Sequence, residues 1–96
     1  MGARYGIRVQ ALTPSLAASF NFKNQKGVLV SQVVSDSPSS VSGVRAGDII
    51  TRIGAREVGN VEDFEQAFDV LGDVRSVRLS IFRDGKFKEV DLSIKP

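Results

Sequence analysis

Asp36-Ser37-Pro38-Ser39-Ser40-Val41-Ser42-Gly43-Val44-Arg45-Ala46-Gly47-Asp48-Ile49-Ile50 is the stretch whose reading decides the fold. Ser35–Pro38 reads as a turn or helix cap, because Ser and Asp side chains bond nearby amides. Ser39–Val44 suits a short helix, with Gly43 near its C-terminal end. Ala46-Gly47-Asp48 is a tight turn that delivers the chain into the strand Ile49–Ile53. Gly43, Gly47 and Asp48 therefore read as conformational residues, with no ligand role required of them.

Upstream, Tyr5–Leu12 alternates: Tyr5, Ile7, Val9 and Ala11 on one side, Arg8 and Gln10 on the other. That is a half-buried strand. Thr13-Pro14 fits a helix start, with Thr13 as N-cap and Pro14 first in the helix. Val28–Val34 is rich in β-branched residues and reads as a buried strand. Downstream, Gly54-Ala55 turns the chain into a short strand around Glu57-Val58. Val61–Leu71 is the clearest helix. Asn60 is its natural N-cap, Val61, Phe64, Phe68 and Leu71 recur at helical spacing, and Gly72 stops it. Ser76–Phe82 and Phe87–Ile94 are alternating strands joined by Arg83-Asp84-Gly85-Lys86, and Asp-Gly is a strong two-residue hairpin signal. Five or six short strands and two or three helices make a mainly β fold, a partly open barrel or sandwich capped by helices.

Length and charge narrow the function. The chain has 96 residues, enough for one domain. Its net charge is +2, and the basic residues are spread from Arg4 to Lys95. Nucleic acid binding needs a concentrated cationic surface to displace counterions, so it is not expected. No apolar run approaches the length of a membrane span, so no transmembrane segment is expected. Cysteine and histidine are both absent. Disulfides, thiolate metal sites and a Ser-His-Asp triad are thereby excluded, and no cofactor or metal is expected. The carboxylates Glu62, Asp63, Glu65 and Asp69 lie on the polar face of an amphipathic helix, where solvated charge is the ordinary role.

The informative features are glycine-centred. Tyr5-Gly6-Ile7 sets a glycine between two large apolar residues at the mouth of a strand. One reading is a bulge or close packing against a neighbouring backbone. The other is a loop whose successive N–H groups point outward as a carboxylate-binding nest. Phe64, Ala67 and Leu71 read as core. Val61, Glu65 and Phe68 lie about one turn apart and suit a groove wall, and Ile7 and Val9 either line that groove or plug the core.

The order of these pieces resembles the PDZ domains of HtrA/Deg serine proteases. The resemblance runs from about Tyr5 to Ile94. It rests on Gly27-Val28-Leu29-Val30, Ser37-Pro38, Gly43-Val44-Arg45-Ala46-Gly47-Asp48-Ile49-Ile50 and Arg83-Asp84-Gly85-Lys86. Two departures are Ser39, where the family often has Ala, and Ile53 directly before Gly54, where it often has Asn. The resemblance implies a circularly permuted PDZ fold of the bacterial type, with the C-terminal strand in the place of the usual first strand. It implies a single domain over 1–96 and a binding module that is not itself an enzyme. Its partners would be C-terminal or unfolded hydrophobic polypeptide segments, bound by strand addition, and the protease domain of a parent chain in the bacterial periplasm or cell envelope. The peptide carboxylate would meet the amides of Tyr5, Gly6 and Ile7. Arg8, Val9, Val61, Glu65 and Phe68 would line the groove. The alternative is a scaffold PDZ domain of a non-protease envelope or secretion-system protein.

Overall fold

The computed structural model describes residues 5–22, 26–71 and 74–93. In chain order it contains β1 (Ile7–Ala11), α1 (Pro14–Ser19), β2 (Val28–Val33), α2 (Pro38–Ser42), β3 (Ile49–Ile53), β4 (Arg56–Glu57), α3 (Val61–Asp69), β5 (Ser76–Arg83) and β6 (Lys86–Ser93). The six strands form one antiparallel sheet in the order β1-β2-β3-β5-β6, with β4 paired beside β3. β1 is therefore an edge strand. The expected mainly β architecture with helical caps is present, as an open sheet.

Local chemistry explains the helix starts. Thr13, Ser37 and Asn60 are the three N-caps, and each side chain accepts from an amide three residues on. Proline takes the first helical position in α1 and α2, so α2 begins at Pro38, one residue before the expected start. Gly43 closes α2 in the left-handed conformation at φ 102°. α3 ends at Asp69, short of the expected Leu71. The Leu71 amide donates to Phe68 O, a three-residue bond that tightens the last turn. The expected stop at Gly72 and the end of the last strand at Ile94 lie outside the described residues.

β1 starts at Ile7 and not at Tyr5. Tyr5 and Gly6 hold φ of 50° and 89°, values a strand cannot use. β2 contains the one irregularity of this edge. Arg8 faces Gln32 and Val9 faces Val30, so Ser31 is the extra residue of a bulge. β1 itself stays regular.

The sheet is apolar on both faces near its centre. One core joins Ile7, Val28, Val30, Ile50, Ile53, Leu79, Ile81 and Leu92 with Phe64, Ala67 and Phe68 of α3. A smaller one, under α1, joins Ala17, Phe22, Leu29, Ile49 and Phe82. This two-sided burial is why Val28-Leu29-Val30 and Ile49-Ile50 are unbroken apolar runs.

A buried ion pair closes the structure. Asp48 is 1% exposed. Arg83 at the end of β5 meets it with Nε to Oδ1 and Nη2 to Oδ2, both at 2.7 Å. Arg83 Nη2 also donates to Gly43 O at 2.7 Å, and the Arg45 amide donates to Asp48 Oδ2 at 2.9 Å. The hydrogen bonds from Arg83 to Asp48 raise the guanidinium pKa further, against the opposing effect of burial. The arginine is a cation at every pH the fold survives.

Two outcomes follow for stability. Arg83→Met leaves Asp48 a buried charge without its partner, and urea unfolding is expected to show a loss of about 3–5 kcal/mol. Asp84 and Gly85 hold φ of 52° and 79°, the pair of positive values that a type I′ turn requires. A Cβ on Gly85 would touch nothing within 4 Å. Gly85→Ala is therefore expected to cost only the backbone term, about 1 kcal/mol. A midpoint unchanged in the same urea titration would reject the turn type.

Candidate functional site

Tyr5 and Gly6 turn the chain into β1 with their carbonyls facing inward. Tyr5 O accepts from the Ser39 amide at 3.2 Å, and Gly6 O accepts from the Val34 amide at 2.8 Å. In a trans peptide the N–H points opposite to the C=O of the same unit. The amides of Gly6 and Ile7 therefore point away from α2 and β2. The amide of Tyr5 belongs to the unit shared with Arg4, outside the described residues.

The edge continues this direction. Gly6 O bonded to Val34 N makes Ile7↔Val33 a non-hydrogen-bonded pair of the β1–β2 ladder. Both main-chain polar groups of Ile7 then face the open side. Unpaired strand edges of this kind accept an added strand.

Gly6 is irreplaceable for two reasons. Its φ of 89° disfavours any side chain, and a Cβ there would overlap the Cβ and Oγ of Ser37. Ser37 and Ser39, at the start of α2, thus brace the loop from behind. Their local sequence marks only a cap and a departure from pattern. Ser39 is fully buried, and its hydroxyl lacks a hydrogen-bond partner among the described residues.

α3 lies next to β1. Val61, Glu65 and Phe68 fall on one stripe of it. Val61 and Glu65 are partly buried, while Phe68 is 3% exposed. Tyr5 packs against Phe68 in a tilted pair with ring centroids 5.3 Å apart, and Phe68 meets Phe64 at 5.0 Å. The structure therefore brings Tyr5 and Phe68 together beside the edge, and packs Val61, two turns up α3, against the same core. Ile7 is placed differently. Its side chain is in the core at 1% exposure, so only its main chain reaches the groove. Val9 is half-buried against the same core, and Arg8 is exposed on the outer face.

A concavity of about 810 Å³ lies elsewhere, lined by Arg52, Glu57, Asp63, Lys88, Glu89 and Phe87 among others. Its charges are of both signs and it is broad. Strand addition needs an unpaired edge, not a deep cavity, so the β1 edge is the better candidate.

The match to known proteins decides the family. The family model described as "PDZ domain" covers residues 3–94. The chain is a PDZ domain. It is 35% identical over 92 residues to the "Probable periplasmic serine endoprotease DegP-like" of Rickettsia prowazekii, covering 96% of the chain and 18% of that relative. It is 30% identical over 89 residues to the periplasmic pH-dependent serine endoprotease DegQ of Escherichia coli, covering 93% of the chain and 20% of DegQ. This PDZ domain thus spans about a fifth of the length of such relatives.

Among solved structures, the HtrA3 PDZ domain bound to a phage-derived ligand, FGRWV, superposes with a TM-score of 0.77 at 26% identity. The match covers 96% of this chain and 84% of that one. The HtrA-type protease AlgW with decapeptide superposes with a TM-score of 0.78 at 24% identity, over 96% of this chain and 28% of that one, which shows the shared fold. The PDZ domain of this chain is thus of the HtrA/Deg kind.

Gly6→Ala tests the loop. The overlap with Ser37 and the positive φ should displace the Gly6 and Ile7 amides. Binding of a peptide that the wild type retains is expected to fall by at least tenfold, with a measurable loss in thermal midpoint. A variant that binds as wild type would show that these amides play no part.

Proposed function

We propose that this PDZ domain captures polypeptide C-termini and exposed hydrophobic segments by adding them as a strand to the free edge of β1. The amides of Tyr5, Gly6 and Ile7 hold the terminal carboxylate, and the main chain of Ile7 pairs with the last residue. The last side chain packs toward Tyr5, Val61 and Phe68. Arg8, Val9 and Glu65 flank the remaining residues. The observation that carries this reading is the pair of inward carbonyls at Tyr5 and Gly6, which forces two neighbouring amides toward the same open edge.

Electrostatics favour an anion there. Each charge-assisted bond from an amide to a carboxylate contributes about 1.5–3 kcal/mol. A short flexible peptide loses much of that in ordering, so a micromolar dissociation constant is expected, near about −8 kcal/mol. An apolar last residue, such as Val, Leu, Ile or Phe, adds about 1.5–3 kcal/mol when its side chain is buried.

The parent protein, in this reading, is a serine protease of the HtrA/Deg type. The domain would present unfolded or mis-assembled chains to the protease domain of that parent. The periplasmic names of the DegP-like and DegQ relatives support a setting in the bacterial cell envelope.

Calorimetry on the isolated domain tests the site. The peptide FGRWV, the ligand bound by the HtrA3 PDZ domain, and peptides selected from a random C-terminal library serve as ligands. Each is measured as free acid and as amide. Amidation removes the charge and keeps every side chain, so affinity is expected to drop tenfold or more. Equal binding of both forms would leave the groove as a binder of internal segments and remove the carboxylate from the mechanism.

A further inference from the structure

We propose that Arg8 selects an acidic side chain at the second-to-last position of the bound peptide, an assignment that rests on strand addition to β1. The geometry begins with the pleat. Along β1, Ile7 is buried, Arg8 exposed, Val9 half-buried and Gln10 exposed. A strand added to the free edge follows the same alternation. The residue opposite Ile7 then aims toward α3, and the residue opposite Arg8 aims outward beside the guanidinium.

Register fixes which peptide residue that is. With the carboxylate at the Tyr5–Ile7 loop, the last residue pairs with Ile7. The strands run antiparallel, so the residue before it stands opposite Arg8. The polar groups of Ile7 face the free edge, which makes the Arg8 position a non-hydrogen-bonded pair across the new ladder. In such pairs the Cα atoms approach to about 4.5 Å and side chains are closest. The β2 bulge reinforces this register. Ser31 Oγ donates to Arg8 O at 3.1 Å and ties down the backbone of Arg8, while β1 stays regular.

The two walls make the preference specific to position. Arg8 is the single charged residue of β1 and β2, and its cross-strand neighbour is the neutral Gln32. Its guanidinium forms no side-chain hydrogen bond or ion pair with any described residue. An acidic side chain aimed outward meets this cation, whereas one aimed at α3 meets the partly buried Val61 and the buried ring of Phe68. The acidic preference therefore belongs to the second-to-last position and not to the third-to-last.

A random C-terminal peptide library, panned against wild type and Arg8→Glu, tests this directly. Arg8 is exposed, so the reversal leaves the core untouched. Wild type is expected to enrich Asp and Glu about threefold at the second-to-last position, as suits an exposed pair. Arg8→Glu is expected to enrich Lys and Arg there instead. Calorimetry of one selected peptide carrying Asp, Gln or Lys at that position should rank them in this order for wild type and reverse the order for the variant. The difference should shrink when salt is raised from about 50 to about 500 mM, a range over which screening tightens about threefold. Identical second-to-last preferences in both proteins, with dependence on the free carboxylate intact, would overturn the role of Arg8 alone. Failure of either protein to retain any peptide through a free C-terminus would overturn the strand-addition reading and this assignment with it.

Discussion

The pairing of Asp48 with Arg83, one step beyond the Ile49–Phe82 pair of the β3–β5 ladder, ties that end of the sheet to α2 and the turn after it. Asp48 lies in the turn before β3, and Arg83 ends β5. Between them Arg83 also reaches Gly43 O, the left-handed cap of α2, and Asp48 reaches the amide of Arg45. A buried carboxylate is costly unless its lone pairs are used, and here three N–H donors and a full cation use them. The effect is geometric. α2, the following turn and the end of β5 are fixed to one another, and Asp48 O and Gly47 N are bonded to Val30 of β2. The position of α2 in turn decides where Ser37 and Ser39 stand, and those two residues brace the loop at Tyr5 and Gly6.

The candidate site is therefore supported by elements that never touch a ligand. The Ser39 amide holds Tyr5 O, and Ser37 packs so closely behind Gly6 that no side chain fits. Both carbonyls are turned inward, and planarity of the peptide unit turns the neighbouring amides outward. The binding geometry follows from satisfying backbone acceptors in the body of the domain. The tilted ring contact of Tyr5 with Phe68 joins the same loop to α3 beside the open edge.

Interactions that span three or four residues were legible in the sequence. The caps at Thr13, Ser37 and Asn60, the prolines after two of them, the stop at Gly43 and the Asp84-Gly85 turn all act within one turn of chain. Helical spacing marked Phe64 and Ala67 as core in the same way, but Leu71, read with them, is only partly buried, and Phe68, read as groove wall, is 3% exposed. Less could be read where an element serves two surroundings. Alternation placed Tyr5 in the strand, but its positive φ ends β1 at Ile7. Alternation also left Ile7 open to core or groove, because period two gives a face without saying what covers it.

By itself the sequence determined the strands, the helix starts, the hairpin and the mainly β class, since each depends on neighbours along the chain. It also excluded thiolate metal sites and thiol chemistry through the lack of cysteine, and a histidine-based triad through the lack of histidine. Only the tertiary structure decided that Asp48 meets Arg83, that Ser37 and Ser39 stand behind Gly6, and that Ile7 offers its main chain while burying its side chain. These are contacts between segments far apart in sequence. Their partners are chosen by which strands pair and by which surfaces that pairing leaves uncovered, a condition that no single stretch of residues contains.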